Sequence, residues 1–269
     1  MPSANDVSPR VKSVALRMVE VAAAWEAGDG GVANAGRRLE AEGYNPNLAV
    51  DLEPLLGAGE AAVVQVRVAQ YGGILAETAS VLIVVDQWSV DANGRVRAGG
   101  TTLDVRLRAD EPDWIVTTVR PARWGRTSAD LTRAARRLLD NDRVRLPYAA
   151  ASDVRAGAID DSVLEALTQL AVDRRIDVSI LRSGHPIRVF GTDRRSDHTD
   201  GRAVDLWALD GRLIIDNGDT PMVADFMRAA SASGAYQVGG PVNLDGDGTT
   251  YFADDTHRDH IHLGFPAPS

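Results

Sequence analysis

The spacing of apolar side chains predicts two helices at the start of the chain. Between residues 9 and 26, apolar side chains recur every three or four positions, and Ser8-Pro9 supplies a helix start signal just before them. A second stretch with helical spacing covers residues 32–42 and stops near Gly43. These residues therefore predict an amphipathic helix followed by a shorter one.

The pattern then changes to an alternation of apolar and polar residues. Val64, Val66 and Val68 alternate with polar or small neighbours, which places one apolar face on a core and one polar face toward water. Asn93-Gly94 lies between two such runs and is a strong hairpin signal. Strands are predicted at residues 64–69, 79–90, 103–108 and 114–119.

Helices followed by an antiparallel meander predict an α+β domain over residues 1–122. This order of elements resembles the cone-shaped domains of the nuclear-transport-factor-like superfamily, including those of actinobacterial envelope-associated proteins. The resemblance covers about 110 residues, which contain no histidine and no cluster of acids at meaningful spacing. It implies a binding or spacer role, with an envelope protein as the candidate partner.

A second domain is predicted from the elements that follow. An arginine-rich amphipathic helix is predicted over residues 127–142, and residues 123–144 are interpreted as a helical linker. A further helix over residues 160–171 leads into a strand at 176–181, which starts a second α+β domain at 145–269. The predicted fold class is therefore α+β, with two domains that each contain a mainly antiparallel sheet packed with helices.

Composition narrows the classes of function. The formal net charge of -9 and a pI near 5.0 argue against nucleic-acid binding, because neutralising phosphates requires a clustered basic face. The chain has no cysteine, so any metal has to be held by imidazole and carboxylate groups. No apolar run reaches the ~18 residues of a membrane span, and residues 1–10 lack the order of a secretory signal. If the protein is exported, its signal or anchor is expected outside this chain.

The candidate chemistry is concentrated in the histidines, all of which lie in the predicted second domain. They are His185, His198, His257, His260 and His262. His198 is followed seven positions later by Asp205, across a glycine, which suits a turn that leads into a strand. His260 and His262 share one face of a predicted strand, because strand side chains repeat every two residues. Two nitrogens and one carboxylate oxygen leave the fourth position of a zinc ion open to water, which is typical of a catalytic site.

The same residues carry a family resemblance. The stretch from Ser196 to Asp205 fits the pattern Ser-x-His-x-x-Gly-x-Ala-x-Asp, and His260-x-His262 completes it. The second domain resembles the D-alanyl-D-alanine carboxypeptidases and the L-alanyl-D-glutamate endolysins, which form one zinc superfamily with lysostaphin-type peptidases and the hedgehog signalling domain. The resemblance implies a hedgehog-like zinc fold and a zinc metallopeptidase that cleaves peptidoglycan stem peptides. It also implies a location outside the cytoplasm, in the cell envelope.

The resemblance assigns roles residue by residue. It implies three zinc ligands, which are His198, Asp205 and His262. Asp259 takes the place of the general base that moves a proton from water to the leaving amine. His260 would donate a hydrogen bond to the tetrahedral oxyanion. Ser196 matches the family serine near the substrate.

One segment departs from the family pattern. Related peptidases often carry a Ser-Gly-Tyr-Arg segment whose arginine anchors the substrate carboxylate, and Pro186 stands at the arginine position here. Arg182, Arg188 or Arg195 could replace that arginine, or a free carboxylate is not what the site binds. The departure leaves a second hypothesis, a zinc-binding cell-envelope interaction module without catalysis. His257 is interpreted either as a residue behind the metal ligands or as a surface loop residue.

Overall fold

Two units with separate hydrophobic cores make up the chain. The computed structural model describes residues 2–57 and 59–267. Residues 8–122 belong to the first unit, and residues 123–267 belong to the second together with Ser3–Val7. Each unit has its own cluster of buried apolar side chains. Both units combine helices with a sheet, so the α+β class is confirmed.

The first unit is an antiparallel four-stranded sheet with helices. Its helices are α1 (Pro9–Ala23), α2 (Val32–Ala41) and α3 (Leu48–Asp51), followed by a 3-10 turn at Glu53–Leu55. Its strands are β1 (Ala61–Ile74), β2 (Thr78–Val90), β3 (Val96–Asp110) and β4 (Asp113–Pro121), paired in that order. Gly94 lies in the turn between β2 and β3 with φ of 76°. The two predicted helices, the predicted strands and the hairpin signal are therefore confirmed.

One prediction about the first strand is wrong. Val64 and Val66 contact the core, but the core face continues with Ala69 and Tyr71 in place of Val68. The pairing register shifts between Val66 and Val68, which is a β-bulge that adds one residue to β1. Because side chains alternate with a period of two, the extra residue sends the side chains that follow it to the opposite face, up to the second register shift between Tyr71 and Gly73.

The second unit contains a seven-stranded mixed sheet. Its helices are α4 (Arg133–Leu139), α5 (Tyr148–Arg155), α6 (Asp161–Leu170), α7 (Ile214–Asn217) and α8 (Pro221–Ala232). Its strands are β5 (Val144–Arg145), β6 (Ile176–Ile180), β7 (Ala203–Leu209), β8 (Arg212–Leu213), β9 (Gln237–Gly239), β10 (Tyr251–Phe252) and β11 (Ile261–Gly264). The strand order is β10-β9-β11-β7-β6-β5, and β8 pairs with β7. The pairs β5 with β6 and β9 with β10 are parallel, and the other pairs are antiparallel.

Residues 123–144 belong to the second unit, whereas the sequence predicted a separate helical linker there. Thr132 caps α4 by accepting a hydrogen bond from the Ala135 amide at 3.1 Å. The buried face of α4, with Ala134, Ala135 and Leu138, is part of the core of the second unit. The arginines of α4 lie on its exposed face, as predicted for an amphipathic helix.

Among the described residues, no helix is long and apolar enough to cross a membrane. The longest of them, α1, has 15 residues. A membrane span requires ~20 predominantly apolar residues.

Candidate metal centre

Two paired strands bring two of the candidate ligands together. Asp205 lies on β7 and His262 on β11, and these antiparallel strands place the two residues directly opposite each other. Cross-strand partners project from the same face of a sheet, so the side chains meet although 57 positions separate them in sequence. Val204, Leu206 and Ile261 next to them are fully buried and anchor both strands in the core.

His198 reaches the same place from a tight turn. A 3-10 turn at Asp197–Asp200 precedes β7, and the Ser196 hydroxyl oxygen caps it by accepting from the His198 amide at 3.3 Å. Gly201 follows the turn with φ of +70°, a left-handed conformation that favours glycine. A Cβ at Gly201 would lie 2.2 Å from the Ala158 carbonyl oxygen, so space also requires a glycine. The predicted turn that leads into a strand is confirmed.

The three predicted ligands form a triangle of donor atoms. His262 Nδ1 lies 2.9 Å from Asp205 Oδ1, and His198 Nε2 lies 3.1 Å from the same oxygen. The two nitrogens are 3.2 Å apart. Donor atoms at ~2.0–2.1 Å from a tetrahedral zinc ion are separated by ~3.3 Å, so small outward adjustments would fit the triangle to zinc.

The tautomer of His198 also suits a metal ion at this centre. His198 Nδ1 donates a hydrogen bond to the Leu181 carbonyl oxygen, which can only accept. The neutral ring therefore carries its proton on Nδ1 and turns the Nε2 lone pair toward Asp205 and His262. His198 and Asp205 are 0% and 1% exposed. A buried lone pair and a carboxylate oxygen in contact repel each other unless a proton or a metal ion lies between them, so this donor set can hold a divalent metal ion.

The protonation of these residues favours metal binding. Burial alone would raise the pKa of Asp205, but the neighbouring His198 and His260 lower this pKa well below its ordinary value. Burial lowers the pKa of His262 to about 4. Near neutral pH, Asp205 is therefore a carboxylate and His262 a neutral imidazole, which are the forms that bind metal ions.

Asp259 and His260 form a buried pair beside the triangle. His260 Nδ1 donates to Asp259 Oδ1 at 2.6 Å, and His260 Nε2 lies 3.8 Å from Asp205 Oδ2. Burial alone would lower the pKa of His260, but the charge of Asp205 and the hydrogen bond to Asp259 raise it. His260 directly precedes β11, and its ring approaches Asp205. The pair thus joins a proton-carrying imidazole to a carboxylate at the edge of the candidate metal site.

Aromatic rings lie next to His262. The ring of His257 lies 5.8 Å from that of His262 between centroids, and Asp254 Oδ1 accepts from His257 Nδ1 at 2.6 Å. Phe252 packs edge-on against His257 with centroids 4.7 Å apart. A Cβ at Gly239, the strand partner of His262, would lie 2.3 Å from Phe252 Cζ, so the glycine leaves room for this ring. Of the two interpretations of His257, the structure supports the position near the ligands.

The structure also brings His185 to the centre, although the sequence assigned it no role. Its ring stacks on His198 with centroids 4.0 Å apart and an angle of 15° between the planes. Its Nδ1 lies 2.8 Å from the Pro186 carbonyl oxygen and 3.5 Å from the Ser196 hydroxyl oxygen. A ring nitrogen of His185 lies within 4.8 Å of ligand atoms of His198 and Asp205. In the sequence, His185 directly follows Ser183-Gly184, in the segment where Pro186 replaces the arginine of the family pattern.

A buried carboxylate holds the loop that carries His185. Asp153, on α5, accepts hydrogen bonds from the Arg182 amide at 3.1 Å, from the Ser183 amide at 2.7 Å and from the Ser183 hydroxyl. Asp153 is 1% exposed, and burial raises its pKa. The same loop supplies the Leu181 carbonyl, so Asp153 fixes both the carbonyl and the ring that contact His198, the buried candidate ligand.

The residues predicted to bind substrate contact the turn that carries a ligand. Arg182 Nε donates to the Thr199 carbonyl oxygen at 3.2 Å, and Arg195 Nε lies 2.7 Å from Asp200 Oδ1. The Arg195 side chain is 58% exposed. Ser196 is 4% exposed and caps the same turn. These contacts give all three residues a structural part in the turn.

Comparisons with known proteins add no assignment to these observations. No protein family, curated protein or solved structure gives a significant match to the chain. Function is therefore inferred from the residues of the centre and from the motifs that contain them.

Proposed function

We propose that the second unit is a zinc metallopeptidase on a hedgehog-like fold, and that it hydrolyses a peptide bond in peptidoglycan stem peptides. The observation that supports this most directly is the convergence of His198, Asp205 and His262 within 2.9–3.2 Å. These residues come from two motifs whose order and spacing resemble those of zinc D-alanyl-D-alanine carboxypeptidases and L-alanyl-D-glutamate endolysins. A capped turn and two paired strands are needed to join them, so their convergence is a specific product of the fold.

The triangle would hold zinc with two nitrogens and one oxygen. Zinc bound there would polarise the scissile carbonyl and lower the pKa of water from about 15.7 toward ~7. Asp205 brings the negative charge of the donor set, and its burial limits competition from bulk water. The Leu181 carbonyl holds His198 in the tautomer whose Nε2 lone pair faces the site.

Asp259 and His260 would carry the proton chemistry. Asp259 is bonded to His260, whose other ring nitrogen approaches the triangle, and it would take a proton from the attacking water and deliver it to the leaving amine. Although burial opposes protonation, Asp205 and Asp259 raise the pKa of His260, which favours donation of a hydrogen bond to the developing oxyanion. A donor of this kind contributes ~3 kcal/mol to transition-state stabilisation in other hydrolases.

The first unit would serve as a cone-like binding or spacer domain. This part of the proposal is supported by the order of its elements, helices followed by a four-stranded antiparallel meander. An envelope protein is the partner that the resemblance implies, and a stem peptide substrate would place the whole protein outside the cytoplasm. Fold alone does not fix such a role, so it needs a test separate from that of the second unit.

Mass spectrometry of purified muropeptides after incubation with zinc-loaded protein tests the peptidase directly. We expect cleavage of one type of peptide bond and about one zinc ion per chain, since the centre is mononuclear. Asp259→Ala should lower cleavage by at least ~100-fold and keep zinc, because the general base is outside the triangle. The matched control is Asp255→Ala, an exposed aspartate four positions earlier, which should cleave like the wild type. Zinc retention without cleavage of any muropeptide would contradict the peptidase.

A second candidate function is a zinc-binding interaction module without catalysis. It is favoured by Pro186 at the position of the substrate-anchoring arginine. It is also favoured by the contacts of Arg182 and Arg195 with the turn, which engage two candidate replacements. In the same experiment, a module would bind zinc stoichiometrically and leave every muropeptide intact.

A further inference from the structure

We propose that His185 is a fourth metal-binding residue, so that the resting centre holds its metal with three histidines and one aspartate. The full donor set would be His185, His198, Asp205 and His262. This inference rests on the proposed function only for the presence of a metal ion at the triangle. It differs from the three-ligand pattern that the family resemblance implies.

The first argument is the position of the His185 ring. It lies parallel to the ring of His198, with centroids 4.0 Å apart and an angle of 15° between the planes. A ring nitrogen of His185 and the ligand atoms of His198 and Asp205 all lie within 4.8 Å of one another. Donor atoms at ~2.0–2.1 Å from one metal ion cannot be more than ~4.2 Å apart. The stack keeps the in-plane lone pairs of the two rings in nearly parallel planes, so the His185 ring has to turn out of the stack to coordinate the same ion as His198.

The second argument is the tautomer of His185. Its Nδ1 lies 2.8 Å from the Pro186 carbonyl oxygen, which can only accept, so Nδ1 carries the proton. The remaining nitrogen, Nε2, then has its lone pair available. The same arrangement holds at His198, where Nδ1 donates to the Leu181 carbonyl. Metal-binding histidines commonly donate their other ring nitrogen to a carbonyl or carboxylate in this way.

The third argument is that hydrogen bonds hold the loop that carries His185 in place. Asp153 accepts from the amides of Arg182 and Ser183, at 3.1 and 2.7 Å, and from the Ser183 hydroxyl. Pro186 restricts the backbone immediately after His185. The ring of His185 is thus presented to the centre by a fixed loop, which lowers the entropy lost on coordination.

Four protein donors would change how the centre works. A four-coordinate zinc site has no position for water until one donor leaves. Asp205 and His262 lie on paired strands of the core, whereas His185 has to leave its stack on His198 to coordinate the metal. His185 is therefore the donor that would exchange for water or a peptide carbonyl, and it would regulate access to the metal.

The test compares zinc affinity, by competition with a chelator, and the visible absorption of the Co²⁺-substituted protein. His185→Phe keeps an aromatic ring against His198 but removes both nitrogens. We expect it to lower zinc affinity by more than ~100-fold, because changes behind a ligand already cost ~10–100-fold. Its Co²⁺ absorption should change, and azide should bind its Co²⁺ at a lower concentration than in the wild type. The matched control is His257→Phe, which should keep the Co²⁺ absorption of the wild type and lower zinc affinity by less than ~100-fold, because His257 lies behind the ligands.

The outcomes separate this inference from the proposed function. If His185→Phe keeps the Co²⁺ absorption of the wild type, the inference is wrong, whatever the zinc affinity. If His262→Ala also abolishes zinc binding in that case, the metal centre stands without His185. If the wild type binds no metal, both proposals fall. Should His185→Phe not fold, as judged by circular dichroism, His185→Ala with added imidazole replaces it, and recovery of the wild-type absorption by imidazole supports the inference.

Discussion

Replacing Gly201 by alanine tests whether the turn before β7 assembles the metal centre. Gly201 has φ of +70°, and a Cβ there would lie 2.2 Å from the Ala158 carbonyl oxygen and 3.2 Å from Ile159 Cα. The Gly201 carbonyl also accepts a hydrogen bond from the Asp160 amide at 2.9 Å. His198 lies three positions earlier, so a shift of this backbone would move a candidate ligand.

Several contributions set the expected loss of stability in Gly201→Ala. The left-handed conformation costs a residue with a Cβ ~1–2 kcal/mol. The 2.2 Å contact is far shorter than the 3.0 Å below which real Cβ contacts essentially never fall, so the backbone has to move. Such overpacking costs ~1–3 kcal/mol, and loss of the Asp160 hydrogen bond adds ~1 kcal/mol. Alanine also lowers the conformational entropy of the unfolded chain, which offsets ~0.4–1 kcal/mol of this loss. We therefore expect a net loss of ~3–4 kcal/mol.

The matched control is Gly211→Ala. Gly211 has φ of +75°, but no atom lies within 4 Å of its Cβ position, so only the conformational cost of ~1 kcal/mol remains. Hydrogen exchange of β7 and β11, followed by mass spectrometry, reports the opening of the second unit alone. Because ~1.4 kcal/mol corresponds to a factor of ten, exchange should accelerate ~100–1000-fold in Gly201→Ala and ~10-fold or less in Gly211→Ala. Equal acceleration in both variants would refute the importance of the Ala158 contact.

Three further predictions concern the loop, the metal and pH. Asp153→Ala deprives the Arg182 and Ser183 donors of their acceptor and should destabilise the second unit by ~3 kcal/mol in the exchange assay, against ~1 kcal/mol for Ser183→Ala. Equal losses of stability in the two variants would contradict the role of Asp153 in holding the loop that carries His185. Zinc at ~100 times its Kd should stabilise the second unit by ~2.7 kcal/mol, and Asp205→Asn should remove this effect. In metal-free protein, the pKa of His262 is lowered from 6.5 to about 4, so its contribution to stability is present above pH 6.5 and lost as the pH falls toward 4. The loss should approach ~3 kcal/mol in denaturant titrations, and a flat pH profile would contradict it.

The fold of the first unit could be predicted in detail because each strand pairs with its neighbour in the sequence. Alternating strands joined by short turns pair with their sequence neighbours, so the meander follows from the pattern and the Asn93-Gly94 turn. The bulge could not be predicted, because only the pairing of β1 with β2 shows that Arg67 is an extra residue. The start of the second unit was predicted too late in the chain for a related reason. The amphipathic pattern of α4 predicts a helix, but it does not show that the apolar face completes the core of the second unit.

The convergence of the three candidate ligands could be predicted, but the residues that support them could not. His198 and Asp205 share one motif, and the distant motif with His262 comes beside them only through the pairing of β7 with β11. The sequence does not show this pairing, so the family resemblance was needed to connect the two motifs. Asp153 lies on a helix 30 positions before Ser183, and no pattern in the sequence connects them. The stack of His185 on His198 depends in turn on the conformation of that loop.

The pair of Asp259 and His260 is a physical reason to expect an enzyme and not a binding module. The metal triangle is complete without either residue, yet both are buried, at 5% and 2% exposure, and joined at 2.6 Å. A buried ion pair gives little net stability over an apolar pair of the same size, because desolvation of both charges offsets their attraction. A module that only binds zinc has no need of this pair, whereas a hydrolase needs a proton acceptor and an oxyanion donor beside the metal. We therefore expect the double variant Asp259→Asn/His260→Gln to keep zinc and its melting temperature while losing muropeptide cleavage. Loss of zinc from this variant would instead make the pair part of the structure of the metal site.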